Sequence, residues 1–358
     1  MNVLSRPFVA AVCSLVVLLA GMPALGQKFI PTEIVEAEVI TPEMNERIMI
    51  VVDQPMFDLS RDEPKPEDVT EARKQLQQLF RANQPTVAYL EALSAAIESR
   101  MEEAVKHDSA MVRMNAMIVL TYMVDNGSKK WIDAGLKDKN DAVKRWAVEA
   151  LGNRMRWWNG RAAAGVRGAG AKIDAAIKQV VSIVDQDNPP HPVVVSPALE
   201  ALVKVDTTKS RAALIDLLNK RVALHKADPD LSYSPERAAI ESFSGLLQYE
   251  TPVDNQSIKG LSRAMARYSA LIVDQRQANS IEEEWQEGAD TMLFQCLQSM
   301  PNLCAAAKAP KPAPADHDQV RGWIANERWE QLKAMIETDW TAILTAKPFN
   351  LKPADLKP

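Results

Sequence analysis

Three segments of the chain place the same residue types at the same offsets, and this repetition constrains the fold more than any other feature. The copies run from Val112 to Leu120, from Val143 to Leu151 and from Val194 to Leu202. Each has Val first, Ala four residues later, Val or Ala at the seventh offset and Leu at the eighth. Apolar residues at these offsets share one face of a helix. Their recurrence predicts stacked helical units instead of an isolated helix.

The second copy, Asp141–Gly152, is the most complete, and a basic residue follows the first Val in two copies, as Arg113 and Lys144. The pattern resembles the HEAT repeat, including the HEAT-like repeats first noted in phycobilin lyases. The resemblance covers about residues 109–224 and lacks the basic residue in the third copy, where Val195 stands. It implies an all-α, α-solenoid architecture of HEAT-like helix hairpins with a concave binding face. It does not imply lyase activity, because no catalytic position can be matched.

The N-terminus has the organisation of a secretory signal peptide. Arg6 precedes an apolar run, Phe8–Ala20, and small residues Ala24 and Gly26 precede a cleavage site after Gly26. We therefore predict a signal peptide over residues 1–26 and export to the periplasm or the extracellular space. An uncleaved anchor is the alternative. We predict no stable membrane span after cleavage, because no later stretch is apolar enough.

The remaining chain divides by its prolines and its helical patterns. Residues 27–66 are predicted to form an irregular, extended N-terminal arm and linker, either partly docked on the body or disordered, because Asp53–Pro66 is rich in proline and acids. Residues 67–308 are the predicted solenoid. A proline-rich linker at 309–315 is predicted to precede a C-terminal capping helix at 316–346.

Two cysteines follow the predicted signal peptide, Cys296 and Cys304. An oxidising compartment would favour a disulfide between them, and Met300-Pro301-Asn302 could supply the turn that brings them together. Two unpaired, buried thiols are the alternative.

The sequence contains none of the short catalytic motifs that we sought. Gly-x-Ser-x-Gly, His-Glu-x-x-His, a phosphate-binding glycine loop and Cys-x-x-Cys are all missing. The chain has four histidines, and no two stand at metal-ligand spacing on one helix. We predict neither a metal nor a cofactor, and a non-catalytic binding scaffold instead of an enzyme. The alternatives are an enzyme whose residues converge on the solenoid groove and a self-associating structural component of the cell envelope; the oligomeric state stays open.

One segment is basic and rich in Trp, although the net charge of the chain is −5. This basic segment, Lys144–Lys172, ends in a glycine-rich stretch, Asn159–Gly170. Arginine forks suit carboxylate, phosphate or sulfate, and Trp rings suit sugars or cations. We predict a protein or anionic polymer as the partner; nucleic acid is a poor candidate for an exported protein. Trp158 as a core residue within a solvated basic face is the alternative. The candidate binding residues are Lys144, Arg145, Arg154, Arg156, Trp157, Trp158, Arg161 and Arg167.

Overall fold

The structure is a computed structural model that describes residues 30–124, 127–186, 190–247, 253–310, 312 and 317–358. These residues are mostly helical and include no strand, as the predicted all-α class requires. A π-helical turn, Ile336–Trp340, joins the helices Trp329–Met335 and Thr341–Thr345, and a 3₁₀ turn, Pro353–Leu356, follows. The helices in chain order are α1 Thr32–Val35, α2 Pro42–Ser60, α3 Pro66–Phe80, α4 Val87–Glu98, α5 Met101–Lys106, α6 Ala110–Leu120, α7 Lys129–Leu136, α8 Asp141–Ala163, α9 Ala169–Val184, α10 Pro192–Val205, α11 Thr208–Ala227, α12 Ser234–Leu246, α13 Asn255–Gln277, α14 Glu283–Ala306, α15 His317–Ala325, α16 Trp329–Met335 and α17 Thr341–Thr345.

Alternate helices form two stacked layers. In the first layer α6, α8, α10, α12 and α14 each pack against the next. In the second layer α9 packs against α11, and α11 packs against α13. The layer ends with α16, which packs against α13, and it begins with α7, which precedes α9. One continuous apolar core lies between the layers. Because each hairpin packs on its neighbours in the stack, the chain is an α-solenoid, as predicted.

The repeat positions form the interior of this stack. In all three copies the Val, Ala and Leu residues at the shared offsets are buried. The close approach of α8 to α10 places Gly152 directly against Ala201. The third copy also departs from the repeat pattern at Pro197, which lies inside α10 because the helix begins at Pro192.

The N-terminal region differs from the extended arm predicted over residues 27–66. Thr41 caps α2 through its side chain, and the helix then runs through Asp53 and Pro55 to Ser60. Residues at helical spacing hold it against α3 and α4, since Ile48, Val52, Met56 and Leu59 are all buried. This burial outweighs the hydrogen bond that Pro55 removes. The predicted signal peptide, residues 1–26, lies outside the described residues.

Two further segments have a secondary structure that differs from what their sequence indicates. The glycine-rich stretch Asn159–Gly170 is not one loop: α8 continues to Ala163 and α9 begins at Ala169. Left-handed Gly165 and Gly168, both with a φ of 79°, make the turn between them. The predicted C-terminal helix, residues 316–346, is interrupted after α15, where Glu327 takes a positive φ of 52°. Most of the predicted linker, residues 309–315, lies outside the described part of the chain.

The cysteines correct the disulfide prediction. Cys296 and Cys304 lie on the same helix, α14, which continues through Pro301, and both thiols are free and buried. Eight residues of helix separate their Cα atoms by about 12 Å along the axis, whereas a disulfide needs less than about 7 Å. Burial raises the pKa of Cys296 to about 12, although the Ser269 hydroxyl opposes the shift, and burial raises the pKa of Cys304 to about 11.

Candidate functional site

A pocket opens in the second layer between α7 and α9, above α8. These two helices pack less closely than the pairs α9–α11 and α11–α13. Helix α7 has only 8 residues, whereas α8 beneath it has 23. The pocket has a volume of about 340 Å³. Its polar and aromatic lining residues are Lys129, Asp133, Arg154, Trp158, Lys172 and Gln179.

Helix α8 supplies the floor of the pocket. Arg154 and Trp158 stand one turn apart on α8, so both side chains point to the same face. The Arg154 guanidinium is buried, and its Nη1 donates a hydrogen bond to Ser128 Oγ at 3.1 Å. The Lys172 ammonium, from α9, lies 3.8 Å from the centroid of the Trp158 ring. The floor is thus a largely buried indole ring, 8% exposed, with the Lys172 ammonium over it and the Arg154 guanidinium one turn away.

The rim of the pocket carries a carboxylate that stays ionised. Asp133 accepts a hydrogen bond from Gln179 Nε2 at 2.7 Å and pairs with Lys129. Burial alone would raise the pKa of Asp133, but these two donors and the positive charges nearby outweigh it and lower the pKa. The lining also contains three basic side chains, Lys129, Arg154 and Lys172. The described lining thus brings basic, acidic and aromatic side chains together.

The pocket contains two of the eight residues predicted from the basic segment, Arg154 and Trp158. Its other polar contributors are Lys172, which ends the basic segment but was not among the eight candidates, and three residues of α7 and α9 that were missed, Lys129, Asp133 and Gln179. The spacing of Lys129 and Asp133, four residues apart, signals only a helical ion pair, which is common on solvated helices.

The other six predicted residues lie outside the pocket lining. Lys144 pairs with Asp141 at 3.0 Å, and Arg156 donates to Asn153 Oδ1 at 2.6 Å. The Arg145 guanidinium lies 5.3 Å from the centroid of the Trp146 ring. The Arg161 guanidinium lies 5.8 Å from the centroid of the half-buried Trp157 ring and 3.8 Å from the Glu91 carboxylate. Arg167 is exposed. The pocket therefore uses two of the eight candidate residues, and a binding role for the other six stays a prediction.

A second group of ionisable side chains lies in the core and was not predicted. Arg221 and His225, one turn apart on α11, both contact Glu236 Oε1 of α12. The His225 ring stacks on Tyr233, with the two centroids 3.9 Å apart. Burial would raise the pKa of Glu236, but His225 and Arg221 outweigh it and lower the pKa. His225 and Glu236 have no exposed surface, so this cluster joins two helices and does not face a substrate.

The described residues hold no group of three His, Cys, Asp or Glu side chains arranged to hold a metal ion. Within the same part of the chain, no helix combines the length and apolar character needed to cross a membrane.

Comparisons with known proteins do not assign a family. The chain matches no protein-family model and no curated protein sequence. Among solved structures it is similar to a designed armadillo repeat protein, with 19% identity and a TM-score of 0.34. The alignment covers 68% of this chain and 99% of the designed protein.

Proposed function

We propose that the chain is a non-catalytic binding scaffold and that the pocket between α7 and α9 receives an acidic group of a protein or an anionic polymer. The observation that carries this proposal is the lining itself, which brings the basic side chains of Lys129, Arg154 and Lys172 together beside the Trp158 ring. A carboxylate or sulfate placed near Lys and Arg is stabilised by charge-assisted hydrogen bonds.

The polar composition of the pocket favours binding over catalysis. Acid–base catalysis needs a group that can exchange a proton near the working pH. The titratable acid in the described lining is Asp133, and its hydrogen bonds to Lys129 and Gln179 lower its pKa. A carboxylate held in this way orients neighbouring donors instead of taking up protons.

We also propose an exported setting for this binding, periplasmic or extracellular, from the signal-peptide pattern of residues 1–26. N-terminal sequencing of the protein recovered from the envelope or the medium tests this step. A mature chain that begins at Gln27 supports export, and a chain that keeps Met1 in the cytoplasm contradicts it.

The binding proposal is tested with two acidic probes, fluorescein-labelled poly-glutamate and polygalacturonate, titrated against the chain at low salt. Lys172→Glu replaces the ammonium that lies 3.8 Å from the centroid of the Trp158 ring with a negative charge. We expect it to weaken binding by about tenfold or more, a change of about 1.4 kcal/mol. Raising the salt should weaken the unmodified chain in the same direction.

Lys178→Glu is the matched control, because Lys178 is an exposed residue of the same helix and is not part of the pocket lining. It makes the same change in net charge and should alter affinity by less than about twofold. Equal losses for the two variants would show that only the overall charge matters and would refute the pocket. A preference for one probe identifies the class of partner, protein or polysaccharide.

A further inference from the structure

The last part of the chain leaves the helical stack and lies across the second layer. This C-terminal segment, Ala346–Pro358, follows α17 and packs along α13 through its 3₁₀ turn. Phe349, Leu351 and Leu356 are buried, at 2%, 3% and 8% exposure. The residues between these anchors are mostly exposed. The segment is therefore anchored in the apolar core at three points, and the residues between them are mostly exposed.

A stripe of cations on α13 contacts the segment along its length. Lys259, Arg263 and Arg267 follow at intervals of four residues, so they lie on one face of the helix. Lys259 Nζ donates to the carbonyl oxygen of Asn350 at 3.2 Å, and Arg267 Nε donates to that of Lys357 at 3.0 Å. The segment thus runs in the same direction as α13.

The middle of the stripe makes an ion pair with the segment. Arg263 Nη2 lies 3.4 Å from Asp355 Oδ2. Each side chain keeps about a third of its surface exposed, at 37% and 33%. The pair is accessible to solvent, so it adds selectivity for an acidic residue more than it adds stability.

Helix α11 packs beside α13 and reaches the segment through Lys226. Asn219 of α11 accepts from Arg267 Nη1 through its carbonyl oxygen at 3.4 Å and its side-chain oxygen at 3.2 Å. Lys226 of the same helix donates to the carbonyl oxygen of Pro358 at 3.3 Å. Three of the contacts to the segment therefore reach main-chain oxygens, which every peptide offers. The apolar anchors and the acidic residue supply the selectivity.

We propose that the face formed by α11 and α13 is a peptide-binding groove, occupied in this conformation by the chain's own C-terminal segment. The partner it fits is a segment of another protein with two apolar anchors spaced by one residue and an acidic residue four positions later. This is the pattern of Phe349, Leu351 and Asp355. Such a partner binds by displacing the segment, and this groove is separate from the pocket between α7 and α9.

The test uses a fluorescein-labelled peptide with the sequence Ala346–Pro358 and the complete chain. A segment tethered to its own groove competes at an effective concentration of about millimolar, so the unmodified chain should bind the peptide weakly. The double substitution Phe349→Ala and Leu351→Ala in the chain loosens the tethered segment. This loosened chain should bind the unaltered peptide at least about tenfold more tightly, by fluorescence anisotropy.

The ion pair provides the specific control. Adding Arg263→Glu to the loosened chain should reduce binding of the peptide, and a peptide carrying Asp355→Arg should recover it on that chain. Failure of a folded, loosened chain to bind the peptide would overturn the proposal. So would binding that is unaffected by the charge at residue 263.

Hydrogen–deuterium exchange on the unmodified chain keeps the proposal testable if the loosened chain does not fold. A displaceable segment opens without unfolding of α13, so the hydrogen-bonded amides of Asn350 and Leu351 should exchange at least about tenfold faster than those of residues 259–267. Equal protection of the two would show that the segment is a fixed part of the fold and would refute the groove.

Discussion

Glu236 is a fully buried carboxylate whose removal would leave other charges without a partner. Its Oε1 atom contacts both Arg221 and His225, whereas its Oε2 atom has no hydrogen-bond partner among the described residues. Arg221 itself is 4% exposed. A buried ion pair adds little net stability, but removal of one partner is costly because the other charge stays buried. The cluster therefore joins α11 to α12 only while it is complete.

Glu236→Gln keeps the shape of the side chain and removes its charge. We expect a loss of about 3 to 5 kcal/mol in the free energy of unfolding, measured by urea denaturation at pH 7. Glu241→Gln, on the same helix, is the control: Glu241 is 61% exposed and pairs with Arg237 four residues away. It should cost about 0.5 kcal/mol or less. Comparable losses for both variants would show that the buried charges are not coupled.

The same residue predicts a dependence on pH. The pKa of Glu236 in the folded chain lies below its ordinary value of 4.5, because His225 and Arg221 outweigh the effect of burial. A carboxyl group with a lowered pKa contributes stability above its unfolded pKa, and this contribution is lost as the pH falls through the folded value. The stability difference between the unmodified chain and Glu236→Gln should therefore be constant near neutral pH and shrink below pH 4.5. A difference that stays constant down to pH 3 would contradict the lowered pKa.

At the scale of helices, Gly152 permits the closest contact in the first layer that involves a glycine. A Cβ atom added at this position would lie 2.8 Å from the Ala201 Cβ of α10. Neither residue can move its Cβ by rotating a side chain, so the helices themselves would have to separate. Gly160, on the same helix, has no atom within 4 Å of such a Cβ.

These two glycines give opposite predictions for one substitution. Gly152→Ala should destabilise the chain by about 1 kcal/mol, because an overpacking cost of about 1 to 3 kcal/mol exceeds the helix propensity gained. Gly160→Ala should stabilise it by up to about 1 kcal/mol. Thermal and urea unfolding measure both, and Ala201→Gly combined with Gly152→Ala should recover most of the loss. If Gly152→Ala raised the stability, the close contact of α8 with α10 would be wrong.

The helices that the sequence predicts best are those whose buried face repeats. The burial of Val143 and Ala147 could be predicted from their spacing alone, because apolar residues four positions apart lie on the same face of a helix. The small size of Ala also indicates a position where two helices approach closely. The sequence did not predict that α2 continues over residues 53–60, because Pro55 is a poor helix former and its cost is outweighed only by contacts with α3 and α4. The break at Glu327 carries no glycine or proline that could have indicated it. Contacts between distant parts of the chain decide both cases.

At the scale of the whole molecule, stability should vary along the stack. Helices at the ends of a solenoid have a neighbour on one side, and central helices have neighbours on both. The first-layer helix α10 packs on both α8 and α12 and also contacts α9 and α11. By contrast, α15 packs on α14 and α16.

Hydrogen–deuterium exchange tests this gradient. We expect amides of residues 196–203 in α10 to be the slowest and those of residues 318–325 in α15 to be at least about tenfold faster, because end units open without unfolding the centre. Uniform exchange through the described helices, with one common rate, would show a single cooperative unit instead.

The pocket could be predicted only in part, since it is a property of three helices. Arg154 and Trp158 lie on one helix face and were found through their local composition. Lys129 and Gln179 are remote in sequence and contribute because the stack brings α7 and α9 over α8. The basic residues near Arg156 were included by proximity along the chain, but helical geometry turns them to other faces.

The short length of α7 has a consequence for how a repeat protein can evolve a specific ligand-binding position. A perfectly regular stack presents the same surface at every unit, so a ligand would find no preferred position along it. Two turns of helix above a helix of 23 residues break that translational symmetry at one place. Substitutions elsewhere in the array can change its stability or length, but lengthening α7 would close the opening. In evolutionary terms, an irregularity of this kind is where selection for a ligand can act without altering the architecture.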